Sequence, residues 1–266
     1  QYGMQIIMSF LMIAMMFIMV PRAAVSANRV AEVLNTQPSI LDPEKEARIK
    51  ISDGTVEFQN VSFRYQNAES DVLSDLSFIA KAGETTAFIG STGSGKSTLL
   101  NLIPRFYDVT AGSVTIGGVD VRQLPQKQLR SLIGYVPQKS VLFSGDIASN
   151  IRYGKEDASD EEIWNAIQTA QAKAFVQSAD GQLSAPIAQG GGNVSGGQKQ
   201  RLAIARALAR KPLVYLFDDS FSALDFKTDV ALRGALQKKL DKNAAVLVVA
   251  QRVSTIMGAE QIIVLT

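Results

Sequence analysis

The sequence predicts an α/β domain with a mainly parallel central sheet, carried behind one membrane-spanning helix. Three observations lead to this fold class. Residues 1–21 contain no Asp, Glu, Lys or Arg. From Val56 onward the apolar positions Val56, Phe58, Val61 and Phe63 alternate with polar neighbours, as strands do. Beyond Gly83, short apolar runs alternate with helical stretches, the arrangement of parallel strands joined by crossover helices.

The N-terminal run comes first. Sixteen of the first twenty residues are apolar, and six of the seven Met lie among them. Twenty helical residues span about 30 Å, the hydrocarbon thickness of a bilayer. A signal peptide would need a basic start and a small-residue cleavage site after a short apolar run, and neither is present. A buried soluble helix is the other reading of such a run, and a membrane helix fits better. Arg22 and Arg29 follow it and would face the cytoplasm. Pro21 is expected to kink the helix where it leaves the lipid. The helical pattern continues to Asn35, so residues 1–35 are read as a last membrane helix with its cytoplasmic extension. Both chain ends fall inside regular elements, and we expect a fragment of a larger chain. Pro38, Pro43 and the charged run 44–50 make residues 36–52 a linker. Residues 53–266 form the remaining domain. Its apolar runs at 86–89, 213–217, 245–249 and 262–265 are the expected strands of the sheet, and residues 159–178 around Trp164 are expected to form one long helical stretch between sheet elements.

Composition limits the chemistry. With 27 Lys+Arg against 25 Asp+Glu the net charge is +2, too balanced for a nucleic-acid coat. There is no Cys and no His, which excludes disulfides, thiolate nucleophiles, Ser-His triads and the commonest metal ligand. Catalysis must therefore rest on carboxylates, Lys, hydroxyls, amides, backbone dipoles or a bound cation.

Gly90-Ser91-Thr92-Gly93-Ser94-Gly95-Lys96-Ser97 matches G-x-x-x-x-G-K-[ST] and sits between a strand and a helix that opens at Ser97, followed by Thr98. Glycines let backbone N–H groups turn onto phosphate oxygens, and the helix N-terminus adds its positive dipole end. Lys96 is placed for the β- and γ-phosphates and Ser97 for Mg²⁺. The apolar strand 213–217 ends in Asp218 and Asp219, and Asp218 would emerge beside this cradle to hold Mg²⁺. A second Gly turn, Val194-Ser195-Gly196-Gly197-Gln198, opens another helix and makes a second anion site.

With two phosphate turns in one chain, residues 53–266 resemble the nucleotide-binding domain of ATP-binding cassette (ABC) transporters. Ser195, Gly196, Gly197 and Gln198 resemble the family's signature motif, with Val194 replacing its Leu. The resemblance implies a P-loop NTPase fold with an antiparallel β subdomain and a helical subdomain at about 139–210, and ATP and Mg²⁺ as ligands. It implies that Tyr65, 25 residues before Gly90, stacks on adenine. It further implies that Gln138 touches Mg²⁺ and relays nucleotide state, and that residues 222–225 cross to a partner domain. In such a pair each ATP lies between one chain's cradle and the other's signature turn. With the fused N-terminal helix, the chain resembles an exporter half-transporter of the cell (inner) membrane, with its nucleotide domain in the cytoplasm and lipid around the helix.

Three positions depart from the family pattern. Asp219 stands where the family has Glu to orient or deprotonate the attacking water, and it is shorter by one methylene. Gln251 stands where the family has a switch His, and it cannot carry positive charge. Ala188-Gln189-Gly190-Gly191 replaces Gly-Glu-Arg-Gly before the signature. The chain's own site is therefore expected to bind ATP well and hydrolyse it slowly. Its signature turn would complete a competent site on a partner that retains Glu and His, as in the heterodimeric bacterial multidrug exporters. A homodimeric exporter of lipid or drug, and a soluble regulatory ABC ATPase, stand as alternatives.

Overall fold

A computed structural model of the chain describes residues 1–44, 49–239 and 241–266, with the backbone alone at 253 and 254. Part of the predicted linker, 45–48, lies outside the described residues. Two compact units result, Gln1–Leu41 and Asp42–Thr266.

In the first unit, α1 (Tyr2–Asn35) is one helix of 34 residues, long and apolar enough to cross a membrane and with no residue buried. At 1.5 Å per residue it is about 50 Å long, so it outreaches the ~30 Å hydrocarbon core. The apolar half and the half bearing Arg22, Arg29 and Glu32 share this rod. The helix does not end at Pro21. Because proline has no N–H, the Phe17 carbonyl lacks its i+4 donor there. The Ser9 hydroxyl donates back to the Gln5 carbonyl at 2.8 Å, which satisfies a polar group inside an apolar stretch.

The second unit opens with β1 (Val56–Phe63), β2 (Leu73–Ala80) and β3 (Thr85–Gly90), then α2 (Lys96–Leu102), β4 (Ala111–Ile116) and β5 (Val119–Asp120). Strands β2-β1-β4-β5 make an antiparallel sheet. Helix α3 (Gln126–Ser131) and β6 (Ile133–Val136) follow. The helical subdomain comes next: β7 (Gly145–Asp146), α4 (Ile147–Arg152), α5 (Asp160–Thr169), α6 (Lys173–Ser178), β8 (Pro186–Ile187) and α7 (Gly196–Ala209). The chain closes with β9 (Val214–Asp218), α8 (Phe226–Lys239), β10 (Ala245–Val249), α9 (Val253–Ile256) and β11 (Gln261–Leu265). Strands β11-β3-β10-β9-β6 form a five-stranded sheet, parallel throughout. The P-loop NTPase architecture expected from sequence is thus present, with both subdomains.

The parallel sheet is apolar on both faces because it is covered on both. Every residue of β9 and β10 is buried. Val214 and Leu216 join a core shared with α2 and the antiparallel sheet, while Tyr215 and Phe217 join a core shared with the helical subdomain. Rings bridge the two sheets: Phe58 stacks on Phe78 at 4.5 Å, and Phe78 meets Phe88 edge-on at 5.3 Å. Residues just before β1 lie along this unit: Asp42 accepts a hydrogen bond from the Gln126 amide at 2.8 Å, and the Ile49 carbonyl accepts one from Gln128 Nε2 at 2.6 Å.

One expectation is corrected. Residues 159–178 are not one helix, since α5 stops at Thr169 and α6 starts at Lys173. Gln171 between them takes a left-handed backbone, φ 56°. Arg201 stabilises the break by donating to the Gln171 carbonyl at 2.8 Å. A reciprocal side-chain cap fixes the start of α5. Ser159 Oγ accepts from the Glu162 amide, and the Glu162 carboxylate accepts from the Ser159 amide. Ser159→Ala is expected to lower unfolding free energy by about 1 kcal/mol, read by urea denaturation as a shifted midpoint with unchanged slope.

Candidate functional site

The cradle forms where β3 gives way to α2. Gly93 and Gly95 have φ of 89° and 84°, a backbone that other residues rarely adopt. A Cβ at Gly95 would lie 2.8 Å from Leu73 Cδ2, and one at Gly90 would lie 2.3 Å from the Leu265 carbonyl oxygen. The turn is therefore pressed between β2 and β11. The Lys96 ammonium, largely buried, folds back over it. It donates to the carbonyls of Gly90 at 2.9 Å and Ser91 at 2.6 Å, and to Ser94 Oγ at 3.2 Å. Ser94 N–H donates to the Ser91 carbonyl at 3.2 Å and closes the loop.

Ser97, on the first turn of α2, donates to Asp218 Oδ1 at 2.9 Å. Asp218 ends β9, which is separated from β3 by β10. Tyr135 of β6 donates to the other carboxylate oxygen at 3.4 Å. Burial pushes the Asp218 carboxyl above its ordinary range, against the hydrogen bonds from Ser97 and Tyr135 that lower it. The Tyr135 hydroxyl is likewise pushed up, by burial first and by the Asp218 charge second. A magnesium ion takes oxygen ligands, keeps several waters and needs one or two carboxylates plus phosphates. Ser97 and Asp218 supply such a set. Among the described residues no group of three or more His, Cys, Asp and Glu is placed to hold a metal alone. The donors fit a cation that arrives with a triphosphate.

Asp219 follows with a left-handed backbone, φ 47°. One of its carboxylate oxygens, Oδ2, accepts two amide donors, Gln138 Nε2 at 3.2 Å and Gln251 Nε2 at 3.1 Å. Gln138 follows β6 and Gln251 follows β10. The structure thus joins three sequence-predicted residues on one atom. Lys96, Ser97, Thr98, Gln138, Asp218, Asp219 and Gln251 line a single cleft of about 410 Å³ with Tyr65, Thr92, Gly93 and Gly95. Val72 and Val249 also line it, and nothing in the local sequence pattern marked either residue. Tyr135 was missed for the same reason, since it reaches the site from a strand residue with no motif role of its own.

Tyr65 stands two residues beyond β1. Its hydroxyl shares a hydrogen bond with Thr98 Oγ1 at 2.9 Å. The signature turn is elsewhere. Ser195, Gly196, Gly197 and Gln198 open α7, and none lines this cleft. Ser195 Oγ accepts from the Gln198 amide at 3.3 Å, and Gln198 Oε1 accepts from the Ser195 amide at 2.9 Å, a reciprocal cap. Ser195 and Gly196 are exposed.

A left-handed backbone costs an L-residue roughly 1–2 kcal/mol, and Asp tolerates it better than Glu does. Asp219→Glu is therefore expected to lower unfolding free energy by up to about 1 kcal/mol. Thermal or urea unfolding reads this, and an unchanged or raised stability overturns the backbone account.

The family model for ABC transporters matches residues 73–222. The chain is 47% identical over 267 residues to an ABC transporter ATP-binding protein of Mycobacterium tuberculosis, covering 99% of this chain and 45% of that protein. It is 43% identical over 212 residues to the ATP-dependent lipid A-core flippase of Chromobacterium violaceum, covering 80% of this chain and 36% of the flippase. The chain thus spans less than half the length of these relatives. The solved structure of a bacterial Atm1-family ABC exporter with ATP bound superposes with a TM-score of 0.88 at 32% identity, over 95% of this chain and 44% of that one. The cradle, the paired strand-end carboxylates and the second glycine turn therefore have their explanation in descent: the chain belongs to the ABC transporter family and carries its ATP-binding domain.

Proposed function

We propose that this chain is part of one half of an ABC exporter, that it binds ATP with Mg²⁺ in the cleft over α2, and that it hydrolyses ATP slowly at that site. Residues 1–35 act as the last membrane helix with its extension, 36–52 as the linker, and 53–266 as the nucleotide-binding domain in the cytoplasm. The transported compound is hydrophobic. The similarity to the lipid A-core flippase of Chromobacterium violaceum supports a lipid-like cargo.

The cleft's own residues carry binding. The Gly93 and Gly95 turn and the α2 N-terminus present N–H groups to phosphate oxygens. Lys96 exchanges its bonds to the Gly90 and Ser91 carbonyls for the β- and γ-phosphates. Thr98 borders the phosphates, and Tyr65 stacks on the adenine. Ser97, Asp218 and Gln138 would hold the cation. Bound Mg²⁺ neutralises charge on the phosphate oxygens.

Slow turnover follows from Asp219. Its carboxylate occupies the position of the general base but is one methylene short. Its Oδ2 is already bonded by Gln138 and Gln251. A base must come within hydrogen-bond reach of the water it activates. Gln251 offers a γ-phosphate only a neutral donor. This doubly bonded Asp219 is the observation that carries the proposal. The exposed signature turn, absent from the chain's own cleft, supports a role in completing the site of a second, distinct half that retains Glu and His.

The test is Asp219→Glu with Gln251→His in the transporter assembled with its partner half, whose own site is silenced. Turnover at this site is expected to rise about 100-fold or more. No rise overturns the account of the two residues. Recovery of only self-paired chains with full turnover favours the homodimer instead.

A further inference from the structure

The Tyr65 ring is held by one residue at the end of the cradle motif and by two aromatic rings that no motif marks. Its hydroxyl is tied to Thr98 on the first turn of α2. Phe63 meets it edge-on at 4.9 Å and 83°, and Phe63 is itself buried in the core. Tyr107 meets it from another side at 5.2 Å and 87°. Phe63 and Tyr107 close the triangle at 5.5 Å. Edge-to-face geometry is the favourable one for such rings, whose faces are negative and edges positive.

Tyr107 is 41% exposed, so burial alone does not account for an aromatic residue there. Its loop, between α2 and β4, is braced on both sides of it. Arg105 donates to both carboxylate oxygens of Asp108, at 2.6 and 3.0 Å. The Thr110 amide donates to the Ser62 carbonyl at 2.9 Å, and the Arg64 amide donates to Thr110 Oγ1 at 3.1 Å. The loop carrying Tyr107 is thus fastened to the segment carrying Tyr65. Helix α2 touches Tyr65 from its first turn through Thr98 and from beyond its last through Tyr107.

We propose that Tyr107 is a positioning residue for nucleobase binding: it fixes the plane of the Tyr65 ring before a base arrives, so that stacking costs no side-chain ordering. The proposal rests on the reading that Tyr65 stacks on adenine. Tyr107 does not itself line the cleft. Its effect is therefore confined to ligands that carry a base, and it is silent toward the phosphates.

The test is calorimetric titration of the full chain in detergent with Mg-ATP and, separately, with inorganic tripolyphosphate and Mg²⁺. Tyr107→Ala is expected to weaken ATP binding about threefold to tenfold, the range of an edge-to-face pair, and to leave tripolyphosphate binding unchanged. Tyr107→Phe, which keeps the ring, is expected to match the wild type for both ligands. Tyr107→Leu keeps apolar bulk without an aromatic edge and is expected to reproduce the selective loss, which guards against a folding defect in the alanine variant. Equal weakening toward both ligands overturns the proposal in favour of a general structural role. Unchanged ATP binding in Tyr107→Ala, with weakened binding in Tyr65→Ala, overturns it while the stacking reading stands. Unchanged ATP binding in Tyr65→Ala overturns both.

Discussion

Parallel pairing among β3, β10, β9 and β6 is the constraint on which the site depends. In a parallel sheet all strands end on the same edge, and the crevice beyond the carboxyl ends is where ligands bind. Here that edge receives Gly90 from β3, Asp218 and Asp219 from β9, Gln138 from β6 and Gln251 from β10. These residues lie up to 161 positions apart between Gly90 and Gln251. The register brings them together: Val249 pairs with both Phe88 and Asp218, and Val136 with Phe217. The two cores on either face lock that register, since slipping β9 by one residue would exchange Val214 and Leu216 with Tyr215 and Phe217.

Much of this was legible in the sequence because each feature obeys a local rule. Apolar runs marked β3, β9, β10 and β11 to within a residue or two of their ends. The glycine spacing marked the cradle, and the helical stretch was expected from Ser159, next to where α5 begins. What stayed hidden depended on long-range contact or on backbone strain. The left-handed turn at Gln171 lies within a run of good helix formers and is supported by Arg201, thirty residues away. The inward fold of Lys96 onto carbonyls of its own loop, and the shared hold of Gln138 and Gln251 on Asp219, are tertiary facts. Tyr107 belongs to no phosphate motif, and its partner Tyr65 is 42 positions earlier.

Asp219 illustrates how stability and chemistry can favour different residues at one position. Its backbone sits where Asp is tolerated better than Glu, and its short side chain lets two amides converge on one oxygen. Both effects favour a well-satisfied carboxylate. A longer carboxylate would gain reach at the expense of local strain, a trade-off common where activity and stability compete.

The reciprocal cap between Ser195 and Gln198 has a further consequence. The turn at the head of α7 is already ordered by its own side chains, and α7 is anchored by Arg201 over the Phe175 ring at 4.9 Å. A second nucleotide domain docking there would meet a finished surface. Little of the free energy of nucleotide binding would then be consumed in shaping this half of the interface. In kinetic terms, such a closure would resemble the meeting of rigid bodies, its rate set by approach and alignment and not by a folding step.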